Sequence, residues 1–186
     1  MAGLLDMLRP DQYAASLAEV DVDQLKQDGF DTLLVDLDNT LLPWSSSDVP
    51  ESSRNWVEHA KHLGMRIRIL SNTHNPARLG AIAGELGVGS IDRAFKPSKT
   101  GFFRAVREAG SEPGKTVVVG DQIITDILGG NRAGMRTILV HPMDSREFIG
   151  TRISRLLEKV IFALIHRAGK PGTISRSTQS EKQDTK

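Results

Sequence analysis

A chain of 186 residues, 39% hydrophobic and 25% charged, fits one globular soluble domain with a core of its own. The absence of cysteine excludes disulfides, zinc–thiolate centres and a cysteine nucleophile. The net charge of +1 is uneven: residues 151–186 carry eight Lys/Arg against three Asp/Glu, so an acidic body precedes a basic end that suits an anionic partner.

The first ten residues lack a long apolar stretch and carry Asp6, which makes a poor signal peptide. The longest clean apolar run, Val160 to Ile165, is far short of the roughly 20 residues a membrane span needs. The expected location is cytoplasmic, with peripheral contact at a membrane surface left open. Residues 1–30 read as a helical segment packing on the core. Within it Asp21 and Gln24 form a capping-box pattern, opening a short helix that Gly29 ends. Asp31 to Asp36 (DTLLVD) is a short buried strand. Pro50 to Leu63 is helical and stops at Gly64, and Arg66 to Leu70 (RIRIL) is the second strand. Asn75 to Leu86 is a helix with Asn75 as N-cap and Pro76 at its first position. Ser90 to Phe95 is the third strand, and Ser98 to Ala109 is a helix closed by Gly110. Thr116 to Val119 is the fourth strand, Ile123 to Ala133 a helix stopped by Gly134, and Arg136 to Val140 the fifth strand.

Strands alternating with helices predict an α/β fold: a three-layer, Rossmann-like sandwich around a five-stranded parallel sheet, spanning residues 31–150. Residues 151–168 read as a basic amphipathic helix. Ile153, Leu156, Leu157, Val160, Ile161 and Leu164 form its stripe, and Arg152, Arg155, Lys159 and His166 lie opposite, with Phe162 among them. Packing of the stripe on the domain and peripheral contact with an anionic membrane through residues 151–170 both stay open. Residues 169–186 are polar and rich in Ser, Gln and Lys, a disordered composition.

Ligands of parallel sheets bind beyond the carboxyl ends of the strands. Four polar groups fall there: Asp36 and Asp38 in DLDNT, Ser71 and Asn72 in LSNT, Lys96 in FKP, and Asp121 in GDQIITD. Phosphoryl transfer needs such a set: one carboxylate to attack phosphorus, another to handle a proton, and cations to neutralise the phosphoryl oxygens. Carboxylates crowded around one pocket call for a metal, and hard oxygen ligands favour Mg²⁺. A receiver domain lacks the second Asp of DLDNT, and a P-loop needs a GxxxxGK[ST] run that is missing here.

These four stretches, in this order, resemble the motifs of the haloacid dehalogenase (HAD) phosphatases. DLDNTLLPW, SNTHN and GDQIITD look closer still to the capless YqeG-like branch, which is similar to phosphatidylglycerophosphate phosphatases. The resemblance implies Asp36 as nucleophile and metal ligand. Asp38 would be general acid and then base, lending its backbone carbonyl to the metal, with Thr40 supporting it. Ser71 and Asn72 would bond the phosphoryl oxygens, and Lys96 would hold the phosphate and balance Asp36. Asp121 would bind Mg²⁺, and Asp126 would bind it or orient its waters.

HAD phosphatases often insert a cap after the first or second motif. The 35 residues from Asp36 to Ser71 and the 25 from Ser71 to Lys96 leave room only for a loop and a helix each. An open site admits a large substrate. The expected reaction is Mg²⁺-dependent hydrolysis of a phosphomonoester through an aspartyl-phosphate, on an accessible lipid headgroup. By the resemblance, that substrate is phosphatidylglycerophosphate, converted to phosphatidylglycerol. The alternatives are a protein, nucleotide or nucleic-acid phosphate, or a non-catalytic interaction protein with the same fold. No nucleic-acid partner is expected, because the basic tail lacks interleaved aromatics. Of the remaining residues, Trp44 is open between pocket wall and gap filler. His74 reads as a cap or solvent residue, Arg78 as a helix-surface residue and Asn39 as a turn residue. Arg132 and His141 are unassigned.

Overall fold

The computed structural model describes residues 3–144. The basic helix expected at 151–168 and the polar tail at 169–186 lie outside the described residues. The elements run α1 (Leu4–Met7), β1 (Gln12–Ala14), a 3-10 turn (Leu17–Glu19), α2 (Val22–Gln27), β2 (Thr32–Val35), α3 (Glu51–His62), β3 (Arg66–Leu70), α4 (Pro76–Leu86), β4 (Gly89–Ile91) and α5 (Lys99–Ala109). They continue with β5 (Thr116–Gly120), a π-helical turn (Ile123–Ile127), α6 (Leu128–Arg132) and β6 (Arg136–Val140).

The strands form one parallel sheet in the order β1-β6-β5-β2-β3-β4. Alternate residues of each strand face opposite sides. Leu33, Val35, Ile67, Ile69, Val117 and Val119 meet α2, α3 and α4 on one face, through Leu25, Trp56, Ala60 and Ile82. Leu34, Leu70 and Val118 meet α5 on the other, around the buried ring of Phe102. The expected three-layer Rossmann-like sandwich is therefore the observed fold. No domain interrupts it between β2 and β3 or between β3 and β4.

The sheet has six strands rather than five. β1 comes from the N-terminal segment expected to be helical and pairs only with the edge of β6. Three residues with a half-exposed Tyr13 give no periodicity to read. The strand is set instead by Asp11, whose N–H donates to the Thr137 carbonyl at 3.0 Å and whose carboxylate accepts from the Thr137 N–H at 2.8 Å. The capping box is half formed. Asp21 accepts from the Gln24 N–H at 2.9 Å, but the Gln24 amide turns forward to Asp28 at 2.8 Å.

β4 ends at Ile91 instead of running to Phe95. The chain is pulled sideways there, because the Ala94 N–H donates to the Ser71 carbonyl at 3.0 Å and the Lys96 N–H to Asn72 Oδ1 at 2.8 Å. The helix expected over 123–133 is split into a π-helical turn and α6. Such widened turns concentrate at functional sites, and this one carries Asp126 inward to Lys96.

Candidate active site

The order of strands reverses between β2 and β5, which neighbour each other but are far apart in sequence. A crevice opens beyond such a reversal. Asp36 follows β2, its N–H held by the Val119 carbonyl at 2.9 Å, and Asp121 follows β5. Gly120 must be glycine here, because a Cβ on it would collide with the carboxyl of Asp126. Asp126 is itself fixed by the Gln122 N–H, 3.1 Å from Oδ2.

The Lys96 ammonium lies between two of these acids, paired with Asp36 and 2.7 Å from Asp126 Oδ1. Burial opposes a charge on Lys96, but the Asp126 and Asp36 carboxylates outweigh it and hold the ammonium above its ordinary range. One cation does not balance the acids. Burial raises the Asp36 carboxyl to about 7 despite Lys96, with Asp126 and Asp38 adding to the rise. Burial, then the charges of Asp36 and Asp126, raise Asp121 to about 8.

Asp36, Asp121 and Asp126 each bring a carboxylate oxygen within 4.8 Å of the others, and all three are buried. Three carboxylates facing one ammonium have an excess of negative charge. An all-oxygen donor set of this kind fits a hard divalent cation. Thr40 points into the same cluster, its hydroxyl 3.5 Å from Asp121 Oδ1. Its hydrogen bond goes to Asp121, whereas the resemblance implied support of Asp38.

Above the cluster is an open cavity of about 560 Å³, lined by Asp36, Asp38, Ser71, Asn72 and Lys96 among others. Asn39 turns the chain just after the two aspartates with φ of +68°, a left-handed position that asparagine tolerates. Asp38 leans on the cavity wall, held by Arg78 through two bonds of 2.8 and 3.3 Å and by the Ser45 N–H at 3.1 Å. Ser71 Oγ accepts from the Thr73 N–H at 3.0 Å, leaving its proton to donate. A second, shallower cavity shares Asn72, His74 and Lys96 with the first and adds Arg93 and Phe95.

Residues 94–142 match the HAD-hydrolase-like family. The chain is 36% identical over 160 residues to the probable phosphatase YqeG of Bacillus subtilis, covering 86% of this chain and 92% of that protein. The chain belongs to the HAD-like phosphatases. As a member of that family it is a phosphoric monoester hydrolase. This HAD-like phosphatase is also 28% identical over 173 residues to phosphatidylglycerophosphate phosphatase 1 of Arabidopsis thaliana, and 30% identical over 159 residues to its namesake in Chlamydomonas reinhardtii. These matches cover 87% and 81% of this chain but only 49% and 59% of those proteins.

Solved structures share the fold. An uncharacterized protein from Listeria monocytogenes superposes with a TM-score of 0.53 at 17% identity, over 74% of this chain and 99% of that one. The cobalt-bound deoxy-D-mannose-octulosonate 8-phosphate phosphatase of Haemophilus influenzae gives 0.50 at 14%, over 77% and 93%.

Of the residues expected at the site of this HAD-like phosphatase, Asp36, Asp38, Ser71, Asn72 and Lys96 line one cavity, and Asp121 and Asp126 lie beneath it. Asn72 is also tied to the lysine segment: its Oδ1 accepts from the Lys96 N–H at 2.8 Å and its Nδ2 donates to the Lys96 carbonyl at 3.1 Å. It clamps the lysine segment in place. Trp44 and His74 line the cavity wall. Arg132 instead reaches the Pro97 carbonyl at 3.5 Å, and His141 lies outside the lining. Sequence reasoning placed Arg78 on the helix surface, but it turns inward to Asp38 and the Ser46 carbonyl, the latter at 2.7 Å. Its place in the first turn of α4, just beyond the SNT motif, was the available signal.

Proposed function

We propose that this phosphatase hydrolyses its phosphomonoester through an aspartyl-phosphate on Asp36, with Mg²⁺ as its metal, and that its substrate is an exposed lipid headgroup such as phosphatidylglycerophosphate. The observation that carries the reading is the double position of Asp36. It lines the cavity open to substrate and belongs to the acidic cluster that fits a cation. Asp36, Asp121 and Asp126, with the backbone carbonyl of Asp38, would hold Mg²⁺. When bound, the ion would neutralise the charge of the phosphoryl oxygens.

Asp36 attacks phosphorus as the bond to the leaving oxygen breaks, and that oxygen takes a proton from Asp38, which must be protonated and freed from one of its two Arg78 bonds to donate. Asp38 then removes a proton from a water. The water oxygen bonds to phosphorus, the bond to Asp36 breaks, and inorganic phosphate leaves. Lys96 keeps Asp36 ionised for the attack and shares the phosphoryl charge, while Ser71 donates its hydroxyl proton to a phosphoryl oxygen.

Two observations support the lipid. Among the described residues no cap closes the cavity, so a headgroup anchored in a bilayer can reach it, and the two relatives of partial length are named for that substrate. The test is phosphate release with and without Mg²⁺ from phosphatidylglycerophosphate in micelles and from a soluble aryl phosphate, with Asp36→Asn as control. Release that requires metal and Asp36 and prefers the lipid is expected. Release from the aryl phosphate alone would remove the lipid. Release that survives Asp36→Asn would remove the mechanism.

A further inference from the structure

The segment between β4 and α5 presents two side chains that the fold does not use. Ala94 is buried and tied to the Ser71 carbonyl, and Lys96 is buried and tied to Asn72. The residues on either side of Ala94 are thrown outward. Arg93 and Phe95 both have left-handed backbones, with φ of +44° and +52°. For side chains of this size that conformation is an outlier.

The strain secures no packing. Phe95 is 69% exposed, the most exposed large apolar side chain among the described residues. The Arg93 guanidinium is exposed and has no ion-pair or hydrogen-bond partner among them. Both line the second cavity, of about 490 Å³, which shares Lys96, Asn72 and His74 with the catalytic one. A phosphoryl group seated at Asp36 and Lys96 therefore has its leaving group within reach of this cavity.

We propose that the second cavity is the leaving-group subsite, and that it selects an anionic amphiphile. Arg93 pairs with an anionic group on the leaving side of the substrate, and Phe95 packs against its apolar part. The proposal rests on the phosphohydrolase reading above and adds the chemistry of the substrate beyond the scissile oxygen: a second negative charge and an apolar body. A free guanidinium beside an exposed aromatic matches both requirements, through a charge-assisted bond and apolar burial.

The test measures binding, so it does not depend on turnover. Calorimetry compares methyl phosphonate with a non-hydrolysable phosphonate analogue of short-chain phosphatidylglycerophosphate, held below its aggregation concentration. The variants are Arg93→Asn and Phe95→Asn, since asparagine accepts the left-handed backbone. Arg93→Lys restores the charge. Each asparagine variant is expected to cut the preference for the amphiphile over methyl phosphonate about tenfold, with lysine recovering most of it at position 93. Equal losses for both ligands would overturn the subsite, because the segment would then serve only to hold Lys96. An unaltered preference would overturn it as well. So would an effect confined to vesicles carrying the lipid and absent for dissolved monomers, which would make these residues a membrane contact. Failure of the hydrolase reading itself shows separately, as the absence of Asp36-dependent phosphate release.

Discussion

Arg78 grips Asp38 by both carboxylate oxygens, Nη2 lying 2.8 Å from Oδ1 and Nη1 3.3 Å from Oδ2. The arginine comes from α4 and the aspartate from the loop after β2, so the pair ties the second motif to the first. Both side chains are largely shielded. If Asp38 is the proton-transfer group proposed above, Arg78 positions it. Arg78→Gln is expected to lower kcat about 10- to 100-fold with little change in KM. Arg78→Lys should recover part of the loss, since a point charge keeps the attraction but loses the fork. Steady-state kinetics on an aryl phosphate separates the cases: a rise in KM alone would mean that Arg78 binds substrate instead.

Removing the central cation should cost stability as well as activity. Lys96→Met leaves Asp36 and Asp126 buried together without their ammonium. Taking one partner from a buried ion pair costs about 3–5 kcal/mol, and urea unfolding of metal-free protein at neutral pH is expected to show a loss of that size. A loss below about 1 kcal/mol would show that the two acids do not depend on Lys96.

The raised carboxyls predict a pH dependence of defined sign. Asp36 and Asp121 move from 3.8 to about 7 and about 8 on folding. Between these limits the folded chain binds more protons than the unfolded one, so stability falls as pH rises. Below the unfolded value both states are protonated and the penalty vanishes. Thermal unfolding of metal-free protein should therefore drop in midpoint from about pH 5 to about pH 8. A divalent cation bound by the ionised acids should offset most of that drop. A metal-free midpoint that climbs over the same range would contradict the electrostatics of the site.

Two glycines should respond oppositely to the same substitution. Gly120→Ala forces a methyl into Asp126 and is expected to weaken both Mn²⁺ binding and stability, the latter by about 1–3 kcal/mol. Gly80, in α4, has open space where its Cβ would be. Gly80→Ala should raise stability by up to about 1 kcal/mol. Calorimetric Mn²⁺ titration and thermal melts read both, and intact Mn²⁺ affinity in Gly120→Ala would remove Asp126 from the metal site.

The strands of the sheet's middle were legible because burial on both faces leaves near-continuous apolar runs, as in TLLV and TVVV. The caps of α4 and α5 were legible for a local reason: Asn75 and Ser98 each bond their own next turn. β1 was hidden because a three-residue edge strand is specified by its neighbour β6 and not by its own pattern. The bend after Ile91 was hidden because side chains 24 positions away cause it, Asn72 clamping Lys96. The positions of the reactive groups came from one rule, that polar residues just after parallel strands converge. The contacts each group then makes lay beyond that rule, so Arg78 was placed on the surface and Thr40 beside the wrong aspartate.

Asp36, the proposed nucleophile, hangs from a strand with two neighbours on one side and three on the other. Sheets fray from their margins, where β1 and β4 are three residues long. Amide exchange should therefore be slowest around Leu33 to Val35. The carboxylate proposed to attack phosphorus then sits on ground that stays put even where the sheet's margins fray. Loosening at the edges and alignment at the centre are thereby decoupled: β1 and β4 can fray without displacing the atom proposed to be in line with phosphorus.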